Sequence, residues 1–168
     1  MRDDAVLVLI GKGELEDSIR EQVRNLGLED RVQFLGSRLD VERYYQAFDY
    51  FVFPSTFEGL PGSVAEAQAS GLRCLVSDKV TREVALTDLV TYKSIKEPAD
   101  NWAAEIMRNA KKALERKDMC AAIAEKDFDV RRQAAKMEAF YVGKKNPPGT
   151  ITRLQCKNGT GMNEEGKA

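Results

Sequence analysis

The sequence contains no histidine. This removes the commonest general base near neutral pH and the commonest metal ligand, so any acid–base chemistry has to use carboxylates, lysine or tyrosine. Long apolar runs are lacking too. Stretches such as residues 5–10 and 50–53 fall far short of the ~20 residues that span a bilayer, and no charged-then-apolar signal precedes a cleavage site. A cytoplasmic chain is therefore expected. Neither sign of charge dominates, with 26 Lys and Arg against 27 Asp and Glu for a formal net charge of −1. Nothing pulls the chain globally toward polyanions, and nucleic acid is not an expected partner. Cysteine is scarce and odd in number: Cys74, Cys120 and Cys156 are widely separated, which fits reduced packing thiols rather than a disulfide framework or a metal site. At 168 residues the chain is long enough for one domain with its own core and too short for two full α/β domains.

What is present is an alternation of strand and helix patterns. Residues 5–10 form an unbroken branched apolar run, expected as a strand buried on both faces of a parallel sheet. Gly11, Lys12 and Gly13 break it. Leu15, Ile19, Val23 and Leu26 then recur at helical spacing, with Glu16 and Arg20 one turn apart and Gly27 placed as a C-terminal stop. The alternation continues with strands over 32–35, 50–53, 72–77 and 89–92 and helices over 41–48 and 63–70. After Pro98 the pattern is helical, through Trp102, Ile106, Ala110 and Leu114, then over 119–124 and 130–141. The expected fold is α/β, a three-layer, doubly wound parallel sheet, with ligands bound beyond the carboxyl ends of the strands. Residues 142–168, rich in Gly, Pro, Asn, Lys and Thr, are expected to be a disordered tail behind a domain over 1–141.

The segment of greatest chemical content runs from Phe53 through Pro54, Ser55, Thr56, Phe57, Glu58, Gly59, Leu60, Pro61, Gly62 and Ser63 to Val64, Ala65, Glu66 and Ala67. It takes a strand through a loop into a helix start, with Glu58 in the loop and Glu66 about one turn inside the helix. Both carboxylates can face one crevice, with the free N–H groups of Gly62, Ser63 and Val64 between them. Amides at a helix start attract a diphosphate, and carboxylates accept hydrogen bonds from sugar hydroxyls. Pro61 has no N–H to contribute.

Two glutamates separated by seven residues at a strand–loop–helix junction resemble the signature of family 4 glycosyltransferases. The flanking text agrees, from "VLIGKGELEDSIREQVRNLGLEDRVQFLGS" through "CLVSDKVTREVALTDLV" to "AAKMEAFY". The resemblance implies the Rossmann-like, C-terminal, donor-binding half of a GT-B enzyme of the kind that builds capsular or exported polysaccharides. By that resemblance Glu66 holds the ribose of a UDP- or GDP-sugar, and Glu58, as catalytic residue, contacts the donor sugar. Gly59 and Pro61 line the same loop, while the amides of Leu60, Gly62 and Ser63 contact sugar or phosphates. Gly11 and the Gly36, Ser37, Arg38 turn lie near the base. The resemblance also implies a retaining hexosyl transfer with no cofactor and no required metal. The acceptor is a saccharide or lipid-linked saccharide, bound by a separate N-terminal domain.

Members of that family open this domain with an additional strand, whose following loop carries an Arg and a Lys on the diphosphate. By the same resemblance this sequence starts at the next strand. Loss of preorganised donors of that kind costs ~3 kcal/mol or more each, on the order of a hundredfold in rate. Little or no transfer is expected of the chain alone, and a catalytically inactive nucleotide-sugar-binding remnant or interaction module is the alternative.

Simpler readings compete at several positions. Ser63 and Glu66 fit a capping box, and Glu58 fits a solvated loop carboxylate. Gly11, Lys12 and Gly13 read as a tight turn, because the third glycine of a dinucleotide fingerprint is absent. Arg108, Lys111, Lys112, Arg116 and Lys117 read first as a solvated basic face, and second as a peripheral contact with anionic lipid at the inner face of the plasma membrane.

Overall fold

The computed structural model describes residues 5–110 and 116–143. Its elements follow the alternation above: β1 (Leu7–Ile10), α1 (Glu16–Asn25), β2 (Val32–Gly36), α2 (Val41–Ala47), β3 (Phe51–Phe53), α3 (Gly62–Ala69), β4 (Cys74–Ser77), a 3-10 turn (Arg82–Val84), β5 (Val90–Lys93), α4 (Ala99–Ala110), α5 (Cys120–Glu125) and α6 (Val130–Tyr141). The expected tail over 144–168, Cys156, and the helical pattern between 111 and 115 lie outside the described residues.

Every strand pairing is parallel, as strands joined by helical crossovers require. The strands form two sheets, however: β1 pairs with β2, and β3, β4 and β5 are hydrogen-bonded in that order. This division corrects the expectation that residues 5–10 and 50–53 are buried strands. β4, with a neighbour on each side, is completely buried along its length; β3 is half-buried and β1 is half-buried to exposed. A strand with one free edge is covered on three sides rather than four. Helix α1 adds little cover. It is amphipathic as predicted, yet Leu15 is 70% and Leu26 70% exposed and no residue of the helix is buried. A surface cavity of about 290 Å³ remains between it and the sheet, lined by Leu9, Leu15, Ile19 and Phe34.

The core lies beyond. Tyr45, Val64, Ala67, Leu72, Cys74, Val76, Val80 and Val84 form one buried cluster, with Phe51, Phe53, Val90 and Tyr92 packed against it. Among the described residues no position before Tyr45 is buried. Cys74 belongs to this core, as expected of a packing thiol, whereas Cys120 is exposed at the start of α5 and does not.

Helix termini follow the sequence signals. Gly27 ends α1 at φ +64°, and Leu28 N–H reaches back to Val23 O at 3.0 Å. Gly71 ends α3 in the same way at φ +69°, with Gly71 N–H on Gln68 O at 2.9 Å and Leu72 N–H on Ala67 O at 3.0 Å. This paired bonding satisfies two carbonyls of the last turn and needs a left-handed residue. At Gly71 space is restricted as well, since a Cβ would lie 2.2 Å from the Lys117 carbonyl oxygen. Glu16 and Arg20 pair at 2.7 Å as anticipated.

Candidate functional site

β3 ends at Phe53, and Pro54 diverts the chain into a loop that returns to α3 at Gly62. Pro61 is the cap residue of α3, with extended backbone at φ −71° and ψ 109°. No side chain caps this helix. The capping box that Ser63 and Glu66 could have formed is therefore absent, and the Glu66 carboxylate is not consumed by backbone donors. Of the three amides expected to be free, Val64 N–H bonds to Pro61 O at 3.2 Å. The amides of Gly62 and Ser63 keep their capacity for an anion.

The two carboxylates are held from different elements. Glu58 is half-buried, and the Ser55 hydroxyl lies 3.0 Å from its Oε1 and 3.2 Å from Phe57 O, one proton serving two acceptors. Glu66 is exposed on α3 and folds back along the helix, so that a Cβ built on Gly62 would meet its Oε1 at 3.9 Å. From α2 the phenol of Tyr45 lies close enough to the Glu66 carboxylate to feel its charge. Gly59, Leu60 and Gly62 are exposed along the loop between the carboxylates, Ser63 is half-buried, and Pro61 is buried beneath them. The glycine-rich loop and helix start thus carry a carboxylate at each end, Glu58 half-buried and Glu66 exposed, with backbone donors between them in sequence.

Sequence reasoning missed Tyr45, although a signal was available. Val41, Tyr44, Tyr45 and Phe48 form the inward face of α2, and a buried tyrosine hydroxyl needs a polar partner. Its phenol is pushed up to about 12, first by burial, then by the nearby negative charge of Glu66. A raised phenol pKa favours the protonated folded state. Its contribution to stability is complete below the ordinary value of 10.0 and is lost as pH rises toward 12. In a Glu66→Gln protein this phenol is expected to ionise earlier, moving part of the way back. Phenolate absorbance titration, with Tyr45→Phe as the reference, reads the change; identical titrations would remove the contact.

Gln68, two residues after Glu66 on α3, was also missed. It is completely buried and makes a five-bond node. Its amide donates to Val64 O at 3.1 Å and Val84 O at 2.8 Å, while Oε1 accepts from Leu86 N–H at 3.0 Å, Thr87 N–H at 3.0 Å and Thr87 Oγ1 at 2.9 Å. The node binds the site helix to the loop between β4 and β5. A glutamine within Val64, Ala65, Ala67 and Ala69 was the only sequence signal for it.

The expected base-side residues form a second cluster at the ends of β1 and β2. Gly11, at φ +140°, donates its N–H to Gly36 O at 2.9 Å, and Gly36 takes φ +64°. Ser37 and Arg38 follow, both exposed. The Arg38 guanidinium lies 3.4 Å from Asp40 and 5.3 Å from the Tyr44 ring centre. The two clusters have no side-chain hydrogen bond or ion pair between them among the described residues.

The basic face does not survive intact. Arg116 donates to the carbonyls of Tyr45 at 2.7 Å and Phe48 at 2.5 Å, and also to that of Gln46. It caps the carboxyl end of α2, where a cation is favoured. Arg108 pairs with Glu105 at 2.8 Å, and Lys111 and Lys112 lie outside the described residues. Among the described residues no helix is long and apolar enough to cross a membrane.

Comparison with known proteins bears on the fold and the family. The chain is 37% identical over 137 residues to the glycosyltransferase EpsF of Bacillus subtilis (strain 168), covering 80% of this chain and 36% of that protein. It is 40% identical over 76 residues to UDP-Gal:alpha-D-GlcNAc-diphosphoundecaprenol alpha-1,3-galactosyltransferase of Escherichia coli, covering 45% of this chain and 20% of that enzyme. The chain thus spans about a third or less of the length of these relatives. Among solved structures, Anabaena HepE in complex with UDP superposes with a TM-score of 0.61 at 21% identity, over 83% of this chain and 41% of that one. TarM superposes with a TM-score of 0.65 at 19% identity, over 83% of this chain and 29% of that one. Both structures share the fold. The family model for glycosyl transferases group 1 matches residues 1–115, and on that match, which takes in both glycine turns and both carboxylates, the chain belongs to the glycosyl transferases group 1 family.

Proposed function

We propose that this chain is the donor-binding half of a glycosyltransferase acting in capsular or exopolysaccharide synthesis. The carrying observation is Glu66: exposed, free of any capping duty, close to the Tyr45 phenol, and folded back toward Gly62 at the start of α3. In this reading Glu66 accepts the ribose hydroxyls of a UDP- or GDP-sugar. The Gly62 and Ser63 amides and the start of α3 bind the diphosphate, Leu60 N–H and Gly59 border the sugar, and Glu58, steadied by Ser55, faces its reacting end. Gly11, Gly36, Ser37 and Arg38 lie toward the base. HepE, which shares the fold, has structures described with UDP and with UDP-glucose.

Transfer is taken to be retaining, directed to a hexose donor, and independent of a metal or other cofactor. In this reading the acceptor is bound by polypeptide of the kind that EpsF carries beyond the matched stretch, which is 36% of that protein. The alternative of a binding remnant without turnover makes the same binding prediction and differs only in transfer.

Calorimetric titration with UDP, UDP-glucose and GDP tests the reading. Hydrogen bonds to a charged group are worth about 1.5–3 kcal/mol. Glu66→Gln is therefore expected to weaken nucleotide binding by roughly ten- to a hundredfold, with an unchanged circular dichroism spectrum. Equal affinity in the folded variant would dismiss the ribose role.

A further inference from the structure

Phe57 stands 87% exposed in the loop from β3 to α3, immediately before the half-buried Glu58. Single exposed apolar side chains are common on protein surfaces and call for no explanation; Phe57 differs in how it is held. The Ser55 hydroxyl lies 3.2 Å from Phe57 O and 3.0 Å from Glu58 Oε1, so one side chain fixes both the backbone that carries the ring and the carboxylate next to it. Leu60, 50% exposed, continues the apolar surface two residues after Glu58. Among the described residues neither a ring nor a guanidinium packs against Phe57. The strongly exposed rings of Phe140 and Tyr141, by contrast, end α6 and meet edge to face with 5.5 Å between centres. Phe57 is thus a bare ring on a pinned loop, beside a carboxylate and beyond the carboxyl end of β3, where doubly wound sheets bind their ligands.

Ring and carboxylate together select a class of ligand. A carboxylate accepts hydrogen bonds from hydroxyls, and the electron-rich face of an aromatic ring attracts the slightly positive hydrogens of C–H bonds. A hexopyranose offers both, with hydroxyls around its rim and axial C–H bonds on its face. An acyl chain would cover Phe57 and Leu60 and leave the Glu58 charge desolvated without a partner. A nucleobase would stack on the ring but has no hydroxyl for the carboxylate. We propose that Phe57 is a sugar-stacking residue, which takes the C–H face of the hexopyranose whose hydroxyls Glu58 binds. Inverting one hydroxyl changes the extent of that C–H face, so the ring contributes to the choice among hexoses. The hexose can belong to the nucleotide sugar or to the acceptor saccharide, which share this chemistry. The inference rests on the reading of this loop as the sugar side of a nucleotide-sugar site.

Proton NMR of the ligand and calorimetry, both on the full chain, test it. The probes are UDP-glucose, UDP-galactose and GDP-mannose, each compared with its nucleoside diphosphate, and the methyl glycosides of the same three hexoses. A sugar lying on the ring has its C–H protons shifted upfield by the ring current. This shift is expected for at least one of the sugars with the wild-type chain. It should be kept in Phe57→Trp and lost in Phe57→Leu, which retains apolar bulk without a ring. The same sugar is expected to bind Phe57→Leu roughly three- to tenfold more weakly, while the nucleoside diphosphate binds both proteins equally. A shift in a nucleotide sugar assigns the ring to the donor; a shift in a methyl glycoside alone assigns it to the acceptor. No upfield shift in any of these sugars, a shift that survives in Phe57→Leu, or an equal loss of affinity for the nucleoside diphosphate would each overturn the inference. A wild-type chain that binds no nucleotide would instead count against the nucleotide site, and the methyl glycosides, titrated alone, would still decide the role of the ring.

Discussion

Replacing Gln68 by Leu is expected to lower the melting temperature by about 10–20 °C. The size follows from what is left behind. Leucine fills nearly the same volume, so little cavity opens, but Leu86 N–H, Thr87 N–H and Val84 O lose their partner. Val64 O is less affected, because its place in α3 also gives it a helical donor. A buried donor or acceptor left without a partner costs roughly 1–3 kcal/mol; allowing for water entering at the half-buried Thr87, the total is about 3–5 kcal/mol. Thr87→Val, which removes one hydroxyl bond, should cost about 1 kcal/mol. Scanning calorimetry on both proteins measures the difference. A shift of only a few degrees for Gln68→Leu would mean that packing of Val84 and Leu86, not the hydrogen bonds, anchors the loop.

Gly71→Ala should destabilise by about 3–4 kcal/mol, where Gly27→Ala costs about 1 kcal/mol. Both glycines are left-handed and end their helices by the same bonding, so the backbone penalty is shared. The environments differ. A methyl at Gly27 meets nothing within 4 Å, while at Gly71 it overlaps the Lys117 carbonyl oxygen at 2.2 Å and comes within 3.3 Å of Arg116 Cγ. The segment that must retreat carries the Arg116 contacts with the end of α2 and the Met119 N–H bond to Ala69 O at 3.0 Å. Denaturant unfolding of the two variants separates the terms. Equal losses would show that this segment yields without cost.

These two residues illustrate what could be read in advance. Gly71 was legible as a helix stop because a left-handed residue must follow the last turn, but its closeness to Lys117 depends on a chain crossing no local pattern encodes. The succession of the strands along the chain and their parallel sense were legible from the alternation of apolar runs with helical spacing. Their burial was not, because periodicity shows which face a residue belongs to and not whether a neighbour occupies the adjoining edge; residues 7–10 and 74–77 look equally apolar and end with very different exposure. At the site, Glu58 and Glu66 were visible by spacing and by family resemblance. Tyr45 and Gln68 were not: their roles come from contacts with elements distant in sequence. Arg116 passed for a solvated charge because its acceptors are main-chain carbonyls, which carry no side-chain signature.

Among the described residues none before Tyr45 is buried, and this bears on cooperativity. β1, α1 and β2 stand on one ladder and partly covered side chains, whereas β4 and α3 sit in the core. Local opening free energy follows buried apolar contact, so the first unit should fluctuate open well before the second, and unfolding should proceed in two steps. Gly11 and Gly36 sit on the labile unit, Glu58 and Glu66 on the firm one. A ligand that bridges the two must order the labile unit as it binds. Part of its binding free energy then goes into that ordering, and a substitution that firms the first unit without touching the ligand would tighten binding.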